Sequence, residues 1–347
     1  MKNKIAKSIG VLCLASLMTT TAYSQVTISG YTEAGFTTGS SKGAHVNSKN
    51  LGGETVITIA GKGKLSNGWD YSAYQNIDSD DNIDQGRAAA TAGNSSPLTT
   101  RAIVLSPNST LSLFYTFDGV YGGEIARTAV PTVTERVADL TGQSGMTEFI
   151  DVTSGGHAVG FDLNNVGPSG RFSVAYNPNL DSNPTSSSDR VGVAKTSSGY
   201  SAGYSVTPGP ITIRAGLTKI DQTQAATAQD ATSKTLGVTY TQAPFAIGIQ
   251  RTKNDGLKVA TLAAANVKDE VDTVAASFAL SKELTLGATY SKFERDTLDP
   301  EGKTAQFVVA YNLGPVVISG AYEDAKDKTG VDGNDTKTSK IKVKANF

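Results

Sequence analysis

The sequence predicts an all-β fold, a transmembrane antiparallel β-barrel of sixteen strands. Three observations predict it. Apolar and polar residues alternate with period two in segment after segment, the spacing of a strand with one apolar face. After residue 24 no apolar run approaches the ~18 residues that a spanning helix needs, although the N-terminus reads as an export signal. Short turns then alternate with long polar segments along the whole chain, and the number of strands between them is even.

Lys2, Lys4 and Lys7 precede an apolar run from Ile9 to Met18, and Ala22-Tyr23-Ser24 supplies small residues before Gln25. This predicts a secretory signal peptide over residues 1–24 and one barrel domain over 25–347. The single cysteine, Cys13, falls inside the signal, so the exported chain is expected to carry neither thiol nor disulfide. Removing those three lysines takes the formal charge from -1 to -4, which argues against nucleic-acid binding. Hydrophobic content of 38% with 36 glycines is low for a large packed core and suits a barrel with a wet interior.

In chain order, 26–37 (VTISGYTEAGFT) alternates Val26, Ile28, Gly30, Thr32, Ala34 and Phe36 against Thr27, Ser29, Tyr31, Glu33 and Gly35. A hairpin follows, 54–65 and 69–78, joined at Ser66-Asn67-Gly68, whose Asn-Gly pair favours tight turns. Further strands are expected at 99–105 and 111–117 about the turn SPNST, and at 156–164 and 170–177 about VGPSG. Those at 199–206 and 210–220 flank TPGP, and those at 233–242 and 245–253 flank QAP. Next come 271–280 and 283–293 about SKE, then 303–312 and 315–323 about LGP. The last strand, 337–347 (KTSKIKVKANF), places Ile341, Val343, Ala345 and Phe347 on one face and Lys340, Lys342 and Lys344 on the other. Sixteen strands let the first and last pair antiparallel, which closes the sheet without an edge. Tyr176, Tyr290 and Tyr322 then mark one membrane interface, and Tyr204, Tyr240, Tyr311 and Phe347 the other.

The stretch Ile57 to Asp78 (ITIAGKGKLSNGWDYSAYQNID) resembles the second and third strands of the trimeric general porins of Gram-negative bacteria. Strand number, loop order and the terminal Phe extend that likeness over the exported chain. The resemblance implies an outer-membrane, water-filled channel, a homotrimer embedded in lipid and lipopolysaccharide, through which small hydrophilic solutes and ions diffuse passively. It implies that Phe347 is an assembly signal read by the barrel-assembly machinery. It also implies an inward-folded third extracellular loop, here the longest, about Asp118 to Gly155, whose Tyr121-Gly122-Gly123-Glu124 looks like the family's constriction element. That loop is net acidic, with Glu124, Glu135 and Asp139 among its carboxylates and Arg127 and Arg136 as its bases.

Alternation places Tyr31, Glu33, Lys62, Lys64, Lys340, Lys342 and Lys344 toward the lumen, with Lys62 and Lys340 as candidates for the narrow zone. Arg171 and Arg214 look lumenal too, across the barrel. Arg101 stands in for the arginine ladder that enteric members of the family carry and this chain lacks. A basic wall against an acidic loop would focus anions weakly.

No cofactor is expected. Asp78, Asp80 and Asp84 alternate like the start of an EF-hand, but Ile83 replaces its glycine and Ala89 its closing glutamate, leaving at most a divalent cation bound in a loop. The other readings are a barrel phospholipase, for which only His157 with Ser154 offers a His-Ser pair, a plugged structural adhesin, and a soluble secreted sandwich. The chain is expected not to be an enzyme.

Overall fold

A computed structural model describes residues 25–41, 46–80, 98–117, 119–127, 130–133, 149, 151–153, 157–180, 197–221, 230–258, 266–296, 298–327 and 332–347. The expected signal peptide and His45, Asp84, Glu135, Arg136, Asp139 and Ser154 lie outside the described residues. Strand β1 is Gln25–Ser41, β2 Val46–Lys64, β3 Asp70–Asp80 and β4 Leu98–Ser106. β5 is Leu111–Phe117, β6 His157–Asn164, β7 Arg171–Leu180 and β8 Ser197–Val206. β9 is Ile211–Asp221, β10 Ala231–Gln242, β11 Phe245–Lys258 and β12 Asn266–Ala279. β13 is Leu284–Arg295, β14 Leu298–Leu313, β15 Val316–Lys326 and β16 Thr336–Asn346.

Each strand pairs with its neighbours in sequence, and β1 pairs with β16, so the sheet is a closed barrel. The seam runs antiparallel from Tyr31 opposite Asn346 to Ser41 opposite Thr336. Phe347 prolongs it, exchanging two backbone hydrogen bonds with Gly30 at 2.9 and 3.0 Å. A Cβ at Gly30 would meet the Phe347 ring at 2.9 Å, so glycine lets the terminal aromatic lie flat against the seam.

All sixteen expected strands are present, and the differences concentrate at the long-loop ends. There β1 and β2 continue to Ser41 and Val46, β11 and β12 reach Lys258 and Asn266, and β14 begins at Leu298. Those extensions hold only scattered apolar residues, Val46, Leu51, Leu257, Val267 and Leu298, with no two of them two positions apart on one strand. Backbone pairing sustains them, and a period-two apolar pattern is required only where one face meets hydrocarbon.

The wall is apolar outside and polar inside, the reverse of a soluble sheet. Ile28, Ile249, Ile341 and Leu236 are among the most exposed apolar side chains, at 67, 61, 62 and 58%. Ser173, Ser201, Thr116 and Thr304 on the inner face are fully buried. Along β10, residues 233–238 alternate buried and exposed, which shows the period directly. Tyr176, Tyr290 and Tyr322 are exposed outward toward the long-loop end, and Tyr311 and Phe347 toward the turn end. Turns at the short end are closed locally: Gly68, at φ +86°, donates to the Leu65 carbonyl, and the Asn108 side chain accepts from Thr110 and Leu111 N–H groups.

Candidate functional site

The inner wall has two unlike halves, and the described residues of the third loop, 119–127, 130–133, 149 and 151–153, pack against one of them. Leaving β5, the chain stacks Tyr121 on Phe114 at 4.3 Å between ring centroids, with the Arg171 guanidinium 5.4 Å from the Tyr121 centroid. Arg171 also donates to Asp162 at 2.7 Å and to the Val120 carbonyl at 3.2 Å. A short 3-10 turn, Gly122–Ala126, follows. Its entry is fastened by backbone donors: Gly122 N–H to Ser173 Oγ at 2.7 Å and Gly123 N–H to Ser201 Oγ at 3.0 Å.

Gly122 is required twice over. Its φ is +63°, and a Cβ would meet Ser201 Oγ at 2.5 Å and the Ala175 methyl at 2.6 Å. Beyond the turn, Gln250 donates to the Arg127 carbonyl at 2.7 Å. Pro131 lies over Gly248, and Val133 lies over Gly287 and packs on Val308 and Ala321.

On its return the loop buries Phe149 against Gly216 and Gly123. Asn177 holds the Val152 carbonyl at 2.9 Å, and Thr153 Oγ1 donates to the Gly119 carbonyl at 2.9 Å and also to the Asp151 carboxylate. Burial pushes the Asp151 carboxyl up from the usual aspartate range, against the opposite pull of the Thr153 hydrogen bonds. Burial likewise pushes the Tyr121 phenol up to about 12.

The wall beneath this segment is cut back to glycine at four close approaches. Gly203 stands opposite Gly216 in register, and Gly248 and Gly287 continue the bare track on β11 and β13. Sequence reasoning missed these four glycines. Their signal was present, because each falls on the polar phase of its strand, where glycine does nothing for solvation but admits a close approach.

The other half carries the charges expected of it, with different partners. Lys340, Lys342 and Lys344 face inward opposite Thr37, Gly35 and Glu33. Glu33, 6% exposed, takes Lys342 at 3.3 Å and Lys344 at 3.8 Å. Lys344 Nζ sits 3.2 Å from the Tyr31 ring centroid, and the Tyr31 hydroxyl donates to Glu54 at 3.0 Å. Glu323, buried opposite Thr338, accepts from Gln306 at 3.3 Å, and Asp78 stands opposite Val56.

The wall is therefore mixed, not basic. Strand alternation identifies which side chains face inward but does not balance their signs across neighbouring strands. On the loop, Glu124 is paired with Arg127 at 3.2 Å, so the acidic character expected there is offset locally as well.

Two further expectations need correction. Lys62 stands opposite Gln25 and Lys340 opposite Thr37, twelve residues apart along β1, or about 40 Å of strand at ~3.3 Å per residue. They do not share a level: Lys62 and Lys64 lie at the turn-end rim, with Lys64 on Asp70 at 2.7 Å. Arg101 faces outward, in phase with Ile103. Its guanidinium lies 5.0 Å from the Phe117 centroid and 3.5 Å from His157 Nε2. Stacking on an aromatic at the wall's outer end lets an arginine tolerate the outer face.

His157 bonds Tyr115 Oη and Arg101, neither of them a serine or a carboxylate. Among the described residues no group of three His, Cys, Asp or Glu could hold a metal ion. Asp78 belongs to the inner wall, and the side chain of Asp80 is outside the described residues.

A closed, sixteen-stranded antiparallel barrel with a polar interior is the porin fold. Solved structures match it over nearly the whole chain. An anion-selective porin from Comamonas acidovorans superposes with a TM-score of 0.68 at 14% identity, covering 94% of this chain and 100% of that one. A porin refined at 1.8 Å resolution gives 0.64 at 15% identity over 93% and 100%. A tryptophan-substituted Rhodobacter blastica porin gives 0.63 at 14% over 93% and 100%. At such identities the likeness is one of fold. No protein-family model and no curated protein matches the sequence.

Proposed function

We propose that this chain is an outer-membrane porin, a non-enzymatic, water-filled channel for passive diffusion of small hydrophilic solutes and ions. The observation that supports this best is the inside-out wall: exposed Ile28, Ile249 and Ile341 outside, buried serines and threonines within. Hydrocarbon on the outside and water within is the arrangement such a surface fits, and sixteen strands leave an aqueous lumen. The third loop narrows that lumen from the glycine-lined side, leaving the charged wall of β1, β2, β15 and β16 to face the permeating solute. One structural neighbour is an anion-selective porin. Here the pairing of Glu33 with Lys342 and Lys344 and of Tyr31 with Glu54 supports only a small anion preference.

Export through a cleaved signal peptide, docking of Phe347 on the barrel-assembly machinery, residence in a Gram-negative outer membrane and assembly as a homotrimer complete the reading. Purified protein added to a planar bilayer should give stepwise openings whose size follows electrolyte conductivity. A closed bilayer at every voltage would overturn the channel. Oligomer mass in detergent, before and after heating, tests the trimer.

A further inference from the structure

β1 and β9 stand eight strands apart in a ring of sixteen, so they face each other across the lumen. On β9, Gly216 seats Phe149 and Ala126 of the third loop. On β1, Tyr31 shares the inward phase of Glu33, between Val56 of β2 and Asn346 of β16. Register and tilt fix their relative height, because strands ~4.8 Å apart and inclined by ~40° move a pairing row about 3 Å along the axis per strand and about 2.5 Å per residue. Followed from Tyr31 through β2 to β8, the pairings put Gly216 about 5 Å nearer the long-loop end. Followed the other way, through β16 to β10, they return the same height. Gly203, Gly248 and Gly287 fall inside that interval, whereas Lys62 and Lys340 lie about 12 Å to either side of Tyr31.

Two contacts hold the Tyr31 ring at the level of the loop's seat. Lys344 Nζ lies 3.2 Å from the ring centroid, and the hydroxyl donates to Glu54 at 3.0 Å. Glu54 stands opposite Glu33, two residues nearer the long-loop end, so the ring leans toward the height of Gly216. The inward groups beside it on β16, β1 and β2 are Lys342, Lys344 and Glu33, on flexible stems, and Val56, which is short. A flexible stem yields to a passing solute, whereas a ring held at its face and at its hydroxyl does not.

We propose that Tyr31 sets the size limit of the channel, the narrowest passage being the gap between its ring and the loop residues seated on Gly203 and Gly216. The lysines and carboxylates around it set charge preference, and the ring sets cross-section. Uncharged solutes, sugars and polyols, are therefore sorted at Tyr31 by their width. The inference rests on the channel reading and on the loop narrowing the lumen.

The test is liposome swelling with arabinose and raffinose, together with single-channel conductance, on the wild-type barrel and on Tyr31→Ala, Tyr31→Phe and Tyr31→Trp. Tyr31→Ala should raise the raffinose-to-arabinose rate ratio severalfold and the conductance roughly 1.5-fold, since the narrowest diameter governs passage through a pore. Tyr31→Trp should lower both. Tyr31→Phe keeps a ring on Lys344 and should leave the ratio unchanged. An alanine variant with the wild-type ratio overturns the proposal, as does a phenylalanine variant that behaves like alanine, because the hydrogen bond to Glu54 would then matter and the ring would not. Should alanine loosen the barrel, tryptophan decides: the wild-type ratio and conductance in that variant also overturn it. Steps in all four proteins with one common ratio sink the gate alone, and neither swelling nor steps in the wild type sinks the channel.

Discussion

The two halves of the inner wall show opposite uses of the same strand geometry. On β8, β9, β11 and β13 the inward positions that matter are glycines, and a backbone segment occupies the space their side chains would fill. On β16, β1 and β2 the inward positions are Lys340, Lys342, Lys344, Glu33 and Glu54, long side chains that occupy their own space and pair with each other. One half accepts the loop, and the other faces whatever passes. The difference teaches that the loop's position is encoded less in the loop than in the wall it rests on.

Substitution of the seat should therefore give the largest effect. A side chain at Gly203 would begin with a Cβ 2.5 Å from Ile125 Cγ1, and overpacking of this kind costs about 1–3 kcal/mol. Gly203→Leu is expected to displace the 3-10 turn and change single-channel conductance markedly, while the barrel still folds by circular dichroism. A trace like that of the wild type would break the contrast between the halves.

Next in size is the charged half. Glu33→Gln leaves Lys342 and Lys344 without the carboxylate they share. The reversal potential across a salt gradient should move toward stronger anion preference, and Lys344→Gln should move it the other way. Lys340→Glu should shift it further than Lys344→Glu, because Lys344 already leans on Tyr31 and Glu33. Identical shifts from these two reversals would show that depth along β16 does not matter.

How much of this was legible in the sequence follows from what alternation can carry. Period two, short turns and an even strand count located sixteen strands and the inward phase of Lys340, Lys342, Lys344 and Glu33, because those are properties of one strand at a time. Arg101 pointed the wrong way because four or five residues about it gave no clear phase; pairing with Phe117 settles it. Lys62 was placed near Lys340 because height depends on register with β1, which is a property of strand pairs. The glycine track is a property of four strands together, and only their register across β8 to β13 brings it into line.

A smaller, pH-dependent effect tests the seat from the loop's side. Burial raises the Asp151 carboxyl above the range it would have in an unseated, solvated loop. The seated state therefore holds the proton more tightly. Seating is strongest below the ordinary aspartate pKa and weakens as pH rises through the raised one. Protease resistance of the loop, or the frequency of brief current fluctuations, should report tighter seating in acid, and Asp151→Asn should flatten that dependence. A dependence of opposite sign would mean that the charged carboxylate is what the seat holds.

The smallest effect is expected where the wall's chemistry recurs without its burial. Lys64 and Asp70 form an ion pair at 2.7 Å, shorter than that of Lys342 with Glu33 at 3.3 Å, yet their side chains are 68 and 62% exposed against 11 and 4%. Water and salt screen an exposed pair, which contributes ~0–1 kcal/mol, and Lys64 stands at the turn-end rim, where the lumen is not narrowed by the loop. Lys64→Gln should leave thermal stability within about 0.5 kcal/mol and should move the reversal potential far less than Glu33→Gln. If it moved selectivity as much as Glu33→Gln does, the narrowest part of the channel would lie at the rim, and the mid-wall pairing of Glu33 with its two lysines would be structural support for β16 instead of part of the filter.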